Sequence, residues 1–329
     1  MKHTFPVTLI LLFVFVLAQA NGLLVLDYYI NIKESAAAGR TVVNQEAYEQ
    51  SNITAPEIEN ESSSFVYILI ALLLGTALVL LILKFRQRRL WKAWFFLSVV
   101  ATLVISLNTW MFRFFGTLVS SASSLYIATV LLCFVLAYLK VFRQNVFIHN
   151  FTEIFIYGGL AALLVPILNM TSIIILLILV AAYDMYAVWK SKHMIAMAQF
   201  QTEEKVFAGL YIPYKTPTYI AESPTLKDGK IIPVKNVPSK KIKTETRKST
   251  GISTAILGGG DVAFPLLFSG VVMKTTGSYF APVIAVATTT ISLALLFYYG
   301  EKGKFYPAIP FVAAGCFVGY GLFLLINLL

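Results

Sequence analysis

Long uncharged apolar runs, separated by short charged connections, constrain this chain of 329 residues more than any other feature. Each run reaches the ~18–20 residues that a helix needs to cross a hydrocarbon core about 30 Å thick. Backbone groups in lipid must form their hydrogen bonds within the segment, so the runs are expected to be helical. Six runs carry no charge: residues 4–26, 65–83, 93–112, 114–139, 275–300 and 305–329.

Two further runs, residues 169–189 and 249–273, each contain a single acid. With a shorter run that follows Glu153, the pattern predicts an all-α membrane protein with nine transmembrane helices. Their expected bounds are 5–27, 65–84, 93–112, 115–139, 150–168, 169–189, 251–273, 276–299 and 306–328. Only 13% of the residues are charged, against about a quarter in soluble domains, which agrees with this class of protein.

The distribution of Lys and Arg predicts the orientation of the nine helices. With the N-terminus inside, 22 of the 26 basic residues lie in inner connections. The connection 31–64, which carries six glutamates, is then external. The positive-inside rule therefore predicts an N-in, C-out topology. Since the basic residues lie between apolar spans, the net charge of +10 indicates contact with lipid head groups and not with nucleic acid.

The first span has two interpretations. Lys2, the apolar run and the small residues Ala18 and Ala20 are also typical of a cleavable signal peptide. Apolar sequence continues through residues 22–30, which favours a retained membrane anchor.

The chain divides into a six-helix part (1–189), a connecting loop (190–250) and a three-helix part (251–329). The loop is predicted to be cytoplasmic. Asp228 and Gly229 form a good hairpin turn signal between the β-favouring pieces 218–220 and 231–234, which predicts a short β-hairpin.

Asp184 and Asp261 are the two acids that fall inside apolar spans. An ionisable group at such a position costs at least ~2.5–3.5 kcal/mol and usually marks a functional site. The predicted bounds place Asp184 about six residues, or roughly 9 Å, from the inner end of its helix, and Asp261 about ten residues, or roughly 15 Å. On neighbouring helices, the two carboxylates are expected to face each other.

Two adjacent carboxylates in a low dielectric share a proton, and this is the catalytic equipment of an aspartic protease. One carboxylate takes a proton from water while the other donates a proton to the scissile carbonyl. The three histidines lie at span ends, so neither a metalloprotease motif nor a serine protease base is present. The two cysteines, Cys133 and Cys316, lie in apolar runs without nearby histidines. No metal or other cofactor is therefore expected.

Three short motifs surround the two acids, on the sixth, seventh and ninth spans. They are Tyr183-Asp184, then Gly258, Gly259 and Gly260 before Asp261, then Pro307, Ala308, Ile309 and Pro310. In this order they resemble the Tyr-Asp, Gly-x-Gly-Asp and Pro-Ala-Leu motifs of the presenilin and signal peptide peptidase family. Ile309 replaces a leucine of similar volume, a change expected to be tolerated. Gly259 occupies the variable position, where the family often has a larger apolar residue.

The resemblance implies an intramembrane aspartyl endopeptidase with nine helices and the N-in orientation of presenilin, similar to the archaeal presenilin homologues. Asp184 and Asp261 are then catalytic, and the other motif residues support the site or bind substrate. The substrates are transmembrane segments or remnant signal peptides within the bilayer, cut in an archaeal cell membrane. A substrate strand is expected to pair with the 218–234 segment. A homo-oligomer stays open.

Two other functions remain as alternatives. A proton-coupled secondary transporter also places acids within the membrane, although the chain lacks the internal repeats expected of many transporters. A prepilin-type peptidase also has a Gly-x-Gly-Asp acid, but the number of spans and the Pro307–Pro310 motif argue against it.

Overall fold

The computed structural model describes residues 4–56, 63–85, 87–119, 121–143, 145–191, 207–221, 246–301 and 306–328. Eleven helices and two strands are named here in chain order. They are α1 (Phe5–Tyr29), α2 (Ile32–Ala38), α3 (Gln45–Gln50), α4 (Ser64–Lys84), α5 (Arg88–Phe115), α6 (Ala122–Tyr138), α7 (Val146–Leu164), α8 (Met170–Tyr186), β1 (Gly209–Ala221), β2 (Thr246–Gly258), α9 (Gly259–Thr276), α10 (Phe280–Tyr299) and α11 (Ile309–Leu328).

Eight helices of the described chain are long and apolar enough to cross a membrane: α1, α4, α5, α6, α7, α8, α10 and α11. They coincide with eight of the nine predicted spans, and the mostly helical membrane fold is confirmed. The remaining predicted span corresponds to α9, which has 18 residues and carries both Asp261 and Lys274. The count of nine and the N-in orientation stay predictions.

Helix α9 lies in the centre of the bundle. Every residue from Val262 to Lys274 is buried except Phe264, so the helix is covered on all sides. A helix with this pattern belongs to the core of a large bundle and not to its lipid surface. The helix that begins at the Gly-x-Gly-Asp motif is therefore held by protein neighbours.

Small residues allow the helices around α9 to approach closely. A Cβ atom at Gly22 of α1 would lie 2.3 Å from Leu266, and one at Gly270 would lie 2.5 Å from Leu26. In the α10–α11 pair, a Cβ at Gly315 or Gly319 would lie 2.6 Å from a backbone Cα atom of α10. Close backbone approach at small residues is the usual packing of membrane helices.

The segment that links α1 to α3 folds back onto the bundle. Tyr29 shares a 2.5 Å hydrogen bond with Ser51 and donates to the Ile105 carbonyl at 3.0 Å. Tyr48 is buried and donates to the Ala162 carbonyl at 3.1 Å. These contacts join the described part of the predicted external connection to α5 and α7.

The predicted start of the seventh span is wrong. We expected a helix from residue 251, but β2 runs to Gly258 and α9 begins at Gly259. The β2 sequence is rich in Thr and Ile and contains glycines, which are poor helix formers. At its end, Ile256 is 41% exposed and Leu257 2%, the alternation of a strand. Asp261 is consequently the third residue of its helix and not about the tenth.

Strands β1 and β2 form a two-stranded sheet. Residues 218–220 of the predicted hairpin lie within β1, but the strand paired with β1 is Thr246–Gly258. The predicted turn at Asp228 and the strand 231–234 lie outside the described residues. The chain forms two compact units. One consists of Met1–Tyr211 and Ile256–Leu329, and the other is Ile212–Ala255. The predicted segments 1–189, 190–250 and 251–329 stay predictions.

Candidate active site

Asp184 is directed into the bundle by the apolar stripe of α8. The buried residues of this helix recur at helical spacing through Ile173, Leu177, Val180 and Ala181 to Asp184. Asp184 is only 3% exposed, and Tyr183 before it is partly buried. The final turn of α8 therefore carries a carboxylate at the end of a stripe that otherwise consists of apolar and small side chains.

The third motif contacts Asp184 through its backbone. The Ile309 amide donates a hydrogen bond of 3.2 Å to Asp184 Oδ2, and the Ala308 amide acts on the same carboxylate. Because Pro307 and Pro310 have no N–H, these are the motif's only backbone donors. Helix α11 begins at Ile309, so its first amide groups have no partner within the helix and favour an anion.

Asp261 occupies the first turn of α9, where Gly258 is the N-cap residue. A Cβ atom at Gly258 would lie 3.1 Å from Asp261 Oδ2, so the carboxylate lies close over the start of its own helix. Amide groups at a helix N-terminus stabilise a nearby negative charge. Unlike Asp184, Asp261 is partly exposed.

The three glycines of the second motif have different surroundings. A Cβ at Gly259 would lie 3.2 Å from the Ala208 carbonyl oxygen and 3.3 Å from the Tyr157 hydroxyl. A Cβ at Gly260 would lie at ordinary contact distances, 3.7 Å from Phe264 and 3.8 Å from Ile309 Cδ1. The tight positions are therefore Gly258 and Gly259, whereas Gly260 has space for a methyl group.

Ile309 brings the three motifs together. Its amide group binds Asp184, and its side chain ends beside Gly260, the residue directly before Asp261. The two acids that the sequence places 77 residues apart are thus connected through one residue of the third motif. Through Ile309, the end of α8 that carries Asp184 and the start of α9 that carries Asp261 both meet the start of α11.

A buried ionic cluster joins α7 to residues 139–143, the helical turn that follows α6, and sequence reasoning missed it. Lys140 Nζ lies 2.6 Å from Glu153 Oε1, and both side chains are at most 2% exposed. Lys140 Nζ is also 3.3 Å from His149 Nδ1, and His149 Nε2 is 2.8 Å from the Gly209 carbonyl oxygen. Since a carbonyl accepts and an ammonium donates, these contacts assign a neutral His149 that is protonated at Nε2.

The same helix fixes the start of β1. The Asn150 side chain donates to the Tyr211 carbonyl at 2.8 Å and accepts from the Tyr211 amide at 3.1 Å. The Gly259 amide in turn donates to the Ala208 carbonyl at 3.1 Å. Residues 208–211 are therefore bonded both to α7 and to the first residue of α9.

A sequence signal for this cluster was present. His149, Glu153 and Tyr157 are spaced four residues apart, which places them on one face of a helix. We instead expected the fifth span to begin at residue 150 with Glu153 at its entrance. Because α7 begins at Val146, Glu153 lies inside the helix and is buried.

The predicted absence of a metal or other cofactor stays a prediction. Within the described ranges, no group of three or more His, Cys, Asp or Glu side chains has an arrangement able to hold a metal ion.

Comparisons with known proteins agree with the three motifs. The family model described as "Signal-peptide peptidase, presenilin aspartyl protease" matches residues 37–328. Two solved structures are similar, both of a presenilin family intramembrane aspartate protease, in C222 and P2 crystal forms. Each has a TM-score of 0.54; the identities are 13% and 15%, over 95% of this chain and 94% and 95% of the other chains. Comparison with curated proteins gives no match.

At these identities the solved structures establish the fold, and the family model, which spans most of the chain, establishes the family. The chain belongs to the signal-peptide peptidase and presenilin aspartyl protease family, and it is an intramembrane aspartyl protease.

Proposed function

We propose that Asp184 and Asp261 are the catalytic pair of this protease and that they hydrolyse peptide bonds of transmembrane segments. The observation that carries the proposal is the 3.2 Å hydrogen bond from the Ile309 amide to Asp184. It joins the third motif to the first acid, while the Ile309 side chain lies beside the residue that precedes the second acid. Family membership leaves the transporter alternative without support.

The reaction follows from two carboxyl groups that share one proton. The ionised carboxylate accepts a proton from a water molecule as the water oxygen attacks the scissile carbonyl carbon. The protonated carboxyl donates its proton to the carbonyl oxygen, which gives a tetrahedral gem-diol. This intermediate collapses when the C–N bond breaks: the protonated carboxyl gives its proton to the leaving nitrogen, and the other carboxylate takes a proton from a hydroxyl of the gem-diol, so the dyad again holds one proton.

The remaining motif residues have supporting roles in this proposal. Pro307 and Pro310 leave the Ala308 and Ile309 amides as the donors that orient Asp184. Gly258 and Gly259 keep the space beside the Asp261 carboxylate and the Ala208 carbonyl free of side chains. Gly260, which has room for a methyl group, and Tyr183 contact the substrate in this proposal.

Two features fit an extended apolar substrate. An open, mainly apolar cavity of about 310 Å³ is lined by Tyr306 and Phe311, which flank the third motif. Each strand of the β1–β2 sheet also has one strand neighbour within the described residues, so it can accept a third strand. We propose that a transmembrane segment unwinds and binds as such a strand.

We further propose that the enzyme works in an archaeal cell membrane with its N-terminus inside, and that its substrates include remnant signal peptides. The N-in orientation rests on the 22 basic residues of the inner connections. A homo-oligomer stays a prediction.

Single Asp184→Asn and Asp261→Asn variants test the catalytic pair. Asparagine keeps the size of the side chain but cannot take up or release the proton, so each variant is expected to lose cleavage of a transmembrane peptide. Detergent-purified protein is assayed with and without a hydroxyl-containing transition-state mimic, which should inhibit the wild type. Asp27→Asn is the matched control, because Asp27 bonds Tyr279 at the far end of α1. Cleavage by Asp261→Asn at the wild-type rate would refute the proposal.

A further inference from the structure

Gln19 is a buried amide inside the apolar helix α1. Its side chain is completely buried, and its Nε2 atom donates a hydrogen bond of 2.8 Å to the Val262 carbonyl oxygen. Because a carbonyl oxygen only accepts, this contact assigns the donor end of the amide to Val262. Val262 directly follows Asp261 in the first turn of α9. The amide of α1 therefore contacts the turn that carries the second acid of the proposed pair.

Helix α1 runs beside α9 in the same direction, as three residue pairs show. The numbering rises together along both helices in the pairs Gln19–Val262, Gly22–Leu266 and Leu26–Gly270. In the second and third pairs, a Cβ atom added to the glycine would overlap the leucine side chain. With so little space between the helices, the backbone from which Gln19 extends is held in a defined place, which is what a positioning group requires.

The first turn of α9 has a sequence that does little to stabilise it. Gly259 and Gly260 are poor helix formers, and the N-cap residue Gly258 makes no side-chain capping bond. Pro265 has no N–H, so it cannot donate the bond that a regular helix forms to the carbonyl of residue 261. The position of this turn therefore depends strongly on groups outside α9.

Hydrogen bonds from outside the helix hold the backbone on both sides of Asp261. Before the acid, the Gly259 amide donates to the Ala208 carbonyl at 3.1 Å. After the acid, the Val262 carbonyl accepts from Gln19. The group that holds the second side is a side chain, so its contribution can be removed by substitution.

The burial of Gln19 has a cost that packing alone does not require. Its Oε1 atom is buried and has no hydrogen-bond partner among the residues that the structure describes. A buried acceptor without a partner destabilises a protein, and an apolar side chain of the same length would avoid this cost. A residue that breaks a packing rule in this way is typical of a functional site. The donor end of the amide therefore indicates a function at the start of α9.

We infer that Gln19 is a positioning residue for Asp261, which it holds in place through the Val262 carbonyl. The amide acts on the backbone and not on the reacting atoms, so proton transfer stays with the two carboxyl groups. This inference rests on the proposed function, since it takes Asp261 as one of the catalytic carboxylates. It also requires that α1 is retained in the active enzyme.

A displacement of the first turn of α9 has a definite kinetic consequence. The two carboxyl groups react only when both reach the same water molecule and scissile carbonyl, so a small misplacement slows the chemical step. Substrate contacts are made by other groups, because Gln19 is completely buried. Loss of the amide is therefore expected to lower kcat and to weaken binding of a transition-state mimic, while KM stays nearly unchanged.

Gln19→Met tests the inference, because it keeps the length of the side chain and removes the donor. We expect kcat for a transmembrane peptide to fall about fivefold or more, with KM within about twofold. The inhibition constant of a hydroxyl-containing transition-state mimic should rise by a similar factor. The melting temperature in detergent should change little, because the lost hydrogen bond is offset by the removal of an acceptor without a partner. Gln19→Leu, a second variant without the amide, should behave in the same way.

Asn21→Leu is the matched control. Asn21 lies on the same helix, is buried, and donates a similar bond of 2.9 Å to the Ile154 carbonyl, which belongs to α7 and not to α9. This variant should lose thermal stability and keep the wild-type kcat and mimic affinity at equal folded fraction.

Wild-type kcat and mimic affinity in both Gln19 variants would overturn the inference, as would activity that falls only in step with the melting temperature. The intact mass of the purified protein checks that α1 is present, and an active enzyme without residues 1–20 would also overturn it. Asp261→Asn is measured in the same series: its activity would instead refute the proposed function.

Discussion

The carboxylate of Asp184 is oriented by the backbone of Ile309, a kind of contact that side-chain motifs do not reveal. Every residue except proline has an amide group, so the sequence indicates only where an amide is missing. In this motif, Pro307 and Pro310 limit the donors to Ala308 and Ile309. The family motif has leucine where this chain has Ile309, and either residue supplies the same backbone amide.

Replacing Ile309 by proline tests the contribution of the Ile309 amide apart from that of the other motif residues. Ile309 is the first residue of α11, where proline is well tolerated, so Ile309→Pro should fold. It removes the N–H that bonds Asp184 at 3.2 Å. A hydrogen bond to a charged group contributes about 1.5–3 kcal/mol, so we expect cleavage of a transmembrane peptide to slow by about tenfold or more.

Ile309→Leu is the control for the loss of the isoleucine side chain, because it keeps the amide and a similar volume. It should retain at least about half of the wild-type rate. Equal rates for the proline and leucine variants, measured at equal folded fraction, would show that the amide has no role.

Residue identity predicted the two acids and their motifs, but it did not predict which neighbours orient them. The acids stood out because an ionisable group in an apolar run is expensive. Lys140 and Glu153 did not, since each lies within a few residues of the end of a predicted span and the sequence does not show that they pair.

At the scale of elements, the length of the apolar runs predicted the bounds of the lipid-facing helices well. It predicted the start of α9, the helix that carries Asp261, less well. Helices α1, α4, α10 and α11 lie within a few residues of their predicted bounds. The start of α9 was misplaced because residues 251–258 are uncharged, and apolar length does not distinguish a strand from a helix. Burial on all sides allows α9 to be shorter and more polar than its neighbours.

Glycine contacts decide how closely these elements pack, and Gly159 is the clearest case. A Cβ there would lie 2.0 Å from the Thr102 carbonyl oxygen, a backbone atom that cannot move without displacing α5. We expect Gly159→Ala to destabilise the protein by about 1–3 kcal/mol, seen as a lower melting temperature in detergent.

Gly75 offers a comparison within the same bundle. It lies in α4, where no atom comes within 4 Å of an added Cβ. Alanine is the better helix former by about 1 kcal/mol, so Gly75→Ala should leave the melting temperature unchanged or raise it. A Gly159→Ala variant as stable as Gly75→Ala would mean that α5 and α7 are less closely packed than described.

At the scale of the whole molecule, the first span behaves as part of the bundle. Leu11, Phe15 and Leu26 are completely buried, and the Gln19 amide donates to the Val262 carbonyl at 2.8 Å, next to Asp261. Cleavage near Ala20 would cut α1 in its middle and remove the Gln19 contact. Retention of the first span as an anchor, which the sequence favours, stays a prediction, and this packing is what its cleavage would remove.

Orientation is the property of the whole molecule that decides from which side water reaches the acids, and thiol labelling can test it. Both native cysteines, Cys133 and Cys316, are completely buried, so the wild type should react little with a membrane-impermeant maleimide. Glu49 on α3 and Gln87 before α5 are exposed, and Gln87 makes no side-chain capping bond that a substitution would remove. With the N-terminus inside, Glu49→Cys should be labelled in intact cells and Gln87→Cys only after the membrane is opened. The reverse pattern would overturn the N-in topology, and water would then enter from the external face.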